Sequence, residues 1–317
     1  ESTLAAATRT RVEIPLISPT AYEVPAGEPR VLSLNAFDPG AAEALAEWAA
    51  ASGIRQVAMI HPSRGASADE ARLFSERFQA LGGSVLRSFS YEPGVTFWES
   101  QILGAAALRP DALVLPVPPE DLPGMAPQVT FFGLDTLGIR ILGTGGWTDP
   151  RILEEVDPRH TTGVVVATPM RSLPDSEGYR RFRDAYERHF RRSLVDGTVQ
   201  ALGYDAASLV FRGIYAGAGA PGEVALALEQ VRGLQGATGS LSVVDGEVRR
   251  LHHVVCLQDR TQHPIQAGQL PAQLYRPYQP DEETGVIPEG PGRPSGFACP
   301  LPLDTANPAD TASISTP

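Results

Sequence analysis

The sequence predicts an α/β fold with parallel sheets covered by helices on both faces. Three observations carry this. Short apolar runs such as QVAMI (56–60), ALVLPV (112–117) and VVVA (164–167) read as strands buried on both sides. The intervals between them have helix length and open with helix-start signals. Strand and helix alternate at a regular rhythm through the first 168 residues, as in consecutive crossover units. A chain of 317 residues also holds two lobes of ordinary domain size.

The elements follow in order. STLAAATRTRV reads as the end of a helix, and 14–17 and 31–34 as short apolar strands. Asp38 before Pro39 places an acceptor and a pre-set φ at the start of a helix reaching Ala49. After the strand at 56–60, Ser67 and Glu70 have the spacing of a capping box, and the helix ends at Gly82-Gly83. A strand at 85–91 precedes a second such box, Thr96 and Glu99. The strand at 112–117 leads to a helix over 120–137, a strand at 140–142, a short helix opened by Asp149-Pro150, and the strand at 164–167. Beyond Pro169 the rhythm changes to three helical stretches, 175–192, 198–216 and 221–231. A hairpin follows, 240–244 with 248–257, turning at Asp245-Gly246. From Gly268 onward, ten of the 29 prolines fall in 50 residues with few periodic apolar positions, so this stretch is expected to be a tail.

Composition removes several functions. The net charge is -11 and the pI near 5.1, which argues against a nucleic-acid partner. All 26 basic residues are arginine, so no Schiff-base, P-loop or Ser-Lys lysine exists. No run of eighteen apolar residues occurs. There is no nucleophile elbow and no HExxH, and an enzyme is not expected. His252 and His253 are neighbours on a strand and point to opposite faces. His61, His160, His189 and His263 have no metal-ligand spacing, so no metal or cofactor is expected. Cys256 in an apolar strand and Cys299 in the Pro-rich stretch do not indicate a disulfide framework. The arginines of 180–192 alternate with Glu177, Asp184 and Glu187 and read as a solvated helix face. Tyr204 and Asp205 read as helix packing.

In open parallel sheets, ligands bind beyond the carboxyl ends of strands, near helix N-termini. The loops that qualify are 18–22, 61–67, 116–121 and 144–149. These loops belong to an ordered set of motifs: IPLISPTAY (14–22), EALAEWAAASG and GIRQVAMIHP around Ile54, EPGVTFWESQI (92–102), RPDALVLPVPPED (109–121), IRILGTGGWTDP (139–150), GVVVATPM (163–170), ALGYDAASLV (201–210) and GATGSLSVVDGEV (236–248). In this order the chain resembles the type I periplasmic solute-binding proteins of the branched-chain amino-acid receptor type, over roughly residues 2–265.

The resemblance implies a two-lobed clamshell with three crossing strands and a ligand in the cleft. It implies a remnant of the first lobe at 1–34, a second lobe at 35–168, helices returning to the first lobe at 169–235, a closing hairpin on the second lobe at 236–267, and the tail at 268–317. The opening βα units of the family are not found ahead of the first motif, so the first lobe is expected to be truncated by two or three units of about 30 residues each. The Ser18-Pro19-Thr20-Ala21 turn resembles the turn whose hydroxyls and N–H groups hold a ligand carboxylate, which nominates Ser18, Thr20 and Tyr22. Pro118, Thr144 and Trp147 lie in the facing loops, with Trp147 able to stack on a ligand and Arg64 able to pair with an anion. The acidic residue that commonly holds an amino group after the ILG strand is missing from Thr144-Gly145-Gly146-Trp147, so weak binding of free amino acids is expected.

The function implied is that of an extracytoplasmic module of an ABC transporter. It would close on a small ligand such as an amino acid, amide or peptide-like solute and deliver it to a membrane permease. An alternative is a cell-envelope regulator of the penicillin-binding protein activator type, partnering a cell-wall synthase, and a third is the sensing domain of a transcription factor. Either envelope role implies a periplasmic or extracytoplasmic location, with a lipid anchor as one form of attachment.

Overall fold

A computed structural model describes residues 15–20, 31–34, 38–169, 176–195, 197–216, 220–276, 290 and 292–300. The largest unit is a seven-stranded sheet ordered β12-β11-β7-β6-β5-β3-β4. Its parallel part comprises β3 (Gln56–Pro62), β4 (Ser84–Tyr91), β5 (Ala112–Leu115), β6 (Arg140–Gly143) and β7 (Val165–Pro169). The helices between them are α1 (Gly40–Ala51), α2 (Ala66–Ala80), α3 (Glu99–Ala107), α4 (Leu122–Phe131) and α5 (Pro150–Glu155). Two cores result, one on each face. Leu113 and Leu115 of β5 enter the core with Trp98, Met125 and Val166. Ala112 and Val114 enter the other, with Leu45, Phe74, Phe78 and Leu142. This is the two-sided burial that the continuous apolar runs predict.

A third core joins β2 (Val31–Ser33) to helices α7 (Thr198–Tyr215) and α8 (Pro221–Leu228) and to β9 (Gly239–Val244) and β10 (Glu247–Arg250). Its apolar residues include Leu32, Leu34, Leu202, Leu209, Leu228, Leu241 and Val243. Here β1 (Leu16–Ser18) pairs in parallel with β2, and β8 (Leu234–Gly236), β9 and β10 form an antiparallel sheet. Helix α6 (Glu177–Phe190) precedes α7 and packs on it and on β8. Asp205 explains why α7 stays on this sheet. Its buried carboxylate accepts from Ala237 N at 2.6 Å, Thr238 N at 2.7 Å and the Thr238 hydroxyl at 2.5 Å.

The structure alters four expectations. The hairpin at Asp245-Gly246 forms, but β9 and β10 belong to the third core, and the expected second strand is broken at Leu251. Only β11 (His252–Gln258) and β12 (Thr261–Pro264) join the seven-stranded sheet, antiparallel to β7. The stretch after Gly268 is not all tail. β13 (Ala272–Arg276) and β14 (Arg293–Ala298) pair, Phe297 is buried against Gly163, and the Arg140 guanidinium lies 5.6 Å from its ring centre. Cys256 and Cys299 form a disulfide, with Cα atoms 5.6 Å apart. A 43-residue separation hid this pairing, because β14 brings Cys299 to β11 by tertiary packing. Finally, neither capping box forms. Helix α2 begins after Gly65, with φ of 88°, and α3 begins after Trp98, both without a side-chain cap.

Candidate functional site: the edge where the chain crosses

The two units meet at the carboxyl edge of the parallel strands. Pro169, the last residue of β7, pairs with His252, the first of β11. Gly40, at the start of α1, packs on the same histidine, where a Cβ would come within 2.7 Å of Nδ1. Asp38 ties the crossings together: one carboxylate oxygen accepts from Gly40 N at 3.0 Å and the other from Arg250 N at 2.9 Å. The Arg250 guanidinium donates to the Leu34 carbonyl. Leu34 N in turn donates to the Ser18 carbonyl at 2.9 Å. So Leu34 just after β2, Pro169 at the end of β7 and His252 at the start of β11 are drawn together at one seam, tied by Asp38 and Arg250. Burial holds the His252 imidazole below its ordinary pKa, against the opposing pull of Asp38.

The loops beyond β3, β5 and β6 end at this edge, and their own packing fixes them. The Trp147 indole donates to the Leu115 carbonyl at 3.1 Å and sits against Gly143, where a Cβ would fall 2.2 Å from the ring. Gly146 lies close to the Val117 carbonyl, 3.0 Å from a built Cβ. Tyr91 donates to Asp121 at 2.6 Å, pinning the loop that carries Pro118. Burial, then that carboxylate, push the Tyr91 phenol well above its ordinary range.

Each nominated residue can now be placed. Pro118, Thr144 and Trp147 come together in adjoining loops. Trp147 is 1 % exposed and belongs to the core, so the expectation that it stacks on a ligand is corrected: the ring is the floor under the glycine loop. Thr144 is 2 % exposed. Ser18 is half-buried and Thr20 exposed, both at the carboxyl end of β1 beside the seam. Arg64 is exposed in the loop after β3. Tyr22 lies outside the described residues.

One residue was missed. Glu70 accepts from the Thr144 hydroxyl at 2.5 Å, bringing a carboxyl to the loop in which the sequence shows no acid. It sits on the second turn of α2, where Ala71, Phe74 and Phe78 enter the core. Burial pushes its pKa up to about 7, with the Thr144 hydrogen bond opposing. The signal was present as an acid beside a strongly apolar helix face, but the cap spacing to Ser67 offered it another role.

Residues 2–258 match the periplasmic binding protein family. The chain belongs to that family. Solved structures agree on the two-lobed α/β fold. A putative branched-chain amino acid ABC transporter protein from Rhodospirillum rubrum aligns with a TM-score of 0.70 and 19% identity, covering 80% of this chain and 73% of that one. A leucine binding protein from Thermotoga maritima gives 0.64 and 20%, covering 82% and 74%. A solute binding protein of an ABC transporter from Rhodopseudomonas palustris, in complex with 3,4-dihydroxy benzoic acid, gives 0.61 and 21%, covering 83% and 76%. No curated protein matches by sequence. These structural relatives are solute-binding proteins, and family membership implies an extracytoplasmic location. For this periplasmic binding protein, the Cys256–Cys299 disulfide fits an oxidising compartment. Cys299 and the β13–β14 ribbon lie beyond the family match.

Proposed function

We propose that this chain is the solute-binding component of an ABC transporter, closing two lobes on a small ligand and presenting it to a membrane permease. The observation that carries this reading is the seam. Three passages of the chain run together at the carboxyl edge of the seven-stranded sheet, through Leu34–Asp38–Arg250 and Pro169–His252. A narrow multi-strand connection lets two rigid cores rotate as bodies, and a ligand touching both shifts that equilibrium by its differential contacts. Ser18 and Thr20, with Tyr22, supply one side of the site. Pro118, Thr144 and Arg64 supply the other. The relatives include proteins named for branched-chain amino acids, leucine and an aromatic acid, and the solute of this chain is sought among such small polar molecules. The cell-envelope regulator is not favoured by these relatives. A lipid anchor would keep the protein near its permease.

Small-angle scattering and thermal shift on the full chain test this reading, with amino acids, amides, short peptides and aromatic acids as solutes. We expect at least one solute to raise the melting temperature and reduce the radius of gyration together. Stabilisation without compaction by every binding solute argues against lobe closure. The absence of any stabilising solute argues against the receptor role.

A further inference from the structure

We propose that the turn joining α6 to α7 is a docking tip for an anionic lipid surface. Its arginines meet phosphate headgroups, and its exposed apolar side chains enter between them. This goes beyond solute binding, because it gives the protein a contact with the bilayer itself.

The charge at the tip stands against the rest of the chain. The whole protein carries -11, yet residues 188–199 hold Arg188, Arg191 and Arg192 against one acid, Asp196. All three arginines are exposed. Earlier in α6 the charges are matched: Arg181 lies 3.9 Å from Glu177, and Arg183 lies 3.2 Å from Asp184. Glu187, the acid of the last turn, accepts from Leu194 N at 3.1 Å and so closes the turn itself.

A cation in the last turn suits the negative end of the helix dipole, which gives Arg188 an ordinary reason. The other two arginines need more. Arg191 ends α6 in the left-handed region, with φ of 52°, where glycine or asparagine is usual and a long side chain carries strain. Arg192 is held in place. Its Nε and Nη2 donate to the Tyr186 hydroxyl at 3.1 and 2.7 Å, and its guanidinium lies 5.7 and 5.8 Å from the Tyr186 and Phe190 ring centres. An ordered guanidinium loses little freedom when it meets a phosphate.

Apolar side chains share the tip. Val195 is 82 % exposed, Val199 61 % and Phe190 54 %. They come from the end of α6, the turn and the start of α7, so they make no stripe along one helix for a partner helix to follow. Apolar groups at a chain reversal, beside arginines, suit shallow burial at the level of the headgroups. Repulsion between the acidic remainder and the bilayer is screened beyond about 10 Å at about 0.1 M salt, so the tip acts locally.

Vesicle flotation of the full chain tests this. The vesicles are phosphatidylcholine alone, or phosphatidylcholine with about one third phosphatidylglycerol, at about 0.05 and 0.5 M salt. We expect binding to the anionic vesicles at low salt and its loss at high salt or on neutral vesicles. The triple variant Arg188→Gln, Arg191→Gln, Arg192→Gln should bind about 30- to 100-fold more weakly. The double variant Phe190→Ser, Val195→Ser should lose about 10-fold. Arg191→Gly, which relieves the left-handed strain, should melt no lower than the parent and still bind more weakly, which separates docking from folding. A polarity-sensitive fluorophore on Val195→Cys should shift to the blue on anionic vesicles. The proposal is overturned by no binding to anionic vesicles, by equal binding to neutral ones, by a triple variant that binds as the parent does, or by an unmoved fluorophore. Unchanged affinity in the double variant would mean that charge alone is read, as by an acidic protein or polymer, and would overturn the lipid assignment.

Discussion

Replacing Glu70 by glutamine should stabilise the protein, and the gain should depend on pH. The carboxyl has an ordinary pKa of 4.5, raised to about 7 in the folded chain by burial. An acid with a raised folded pKa binds protons more tightly in the native state. Its contribution is fully present below pH 4.5 and is lost as pH rises through about 7. That interval corresponds to about 3 kcal/mol at pH 8, and residual contact with water lowers it towards about 2 kcal/mol. Glutamine is nearly isosteric and cannot ionise, and its carbonyl can accept from Thr144 as Glu70 does. At pH 8 the variant should therefore melt about 4–12 °C above the parent, using about 2–4 °C per kcal/mol for a protein of this size. At pH 4.5 the two should melt within a degree or so. Thermal denaturation by circular dichroism from pH 4.5 to 8, in buffers of low ionisation heat, reads the difference directly. A difference that does not vary with pH, or a variant less stable at pH 8, would refute the claim that burial raises the Glu70 pKa.

Three further outcomes follow from other parts of the structure. Cys299→Ser opens a 43-residue loop and should cost up to about 4 kcal/mol in denaturant unfolding under oxidising conditions, with dithiothreitol reproducing the loss in the parent. Equal midpoints with and without reductant would show that the bridge is not formed. Asp205→Ala strips the acceptors from Ala237 N, Thr238 N and the Thr238 hydroxyl and should cost about 3–5 kcal/mol, read as a lowered urea midpoint. Gly40→Ala places a methyl 2.7 Å from the His252 ring and should cost about 1–3 kcal/mol in thermal denaturation, with a changed radius of gyration in scattering as the seam is forced open.

What the sequence revealed and what it hid divide along the range of the interactions. Four of the five parallel strands were legible because each is a local apolar run buried on both faces, as Leu113 and Leu115 against Val114 show within four residues of β5, whereas the edge strand β4 is largely exposed. The strand-end loops were legible for the same reason: once strand and helix alternate, their carboxyl ends must share an edge. The errors all concern partners distant in the chain. Glu70 has a perfect local explanation at Ser67, yet its hydroxyl partner is 74 residues away on β6's loop. Cys256 and Cys299 are apolar-strand and Pro-rich neighbours to a local reading, and β14 alone makes them adjacent. Leu251 looks like the middle of one strand, although the chain there passes from one core to another. Trp147 shows the converse. An aromatic in a cleft loop reads as a ligand contact until Gly143, two strands' worth of packing and the Leu115 carbonyl claim both its faces and its N–H. A site built at the junction of two lobes is made chiefly of such distant pairs, so its elements can be located from local pattern while its charges and contacts cannot. That is why the acid facing Thr144 had to be found in three dimensions: a helix from one crossover unit delivers it to the loop of another, and no spacing within either segment encodes the meeting.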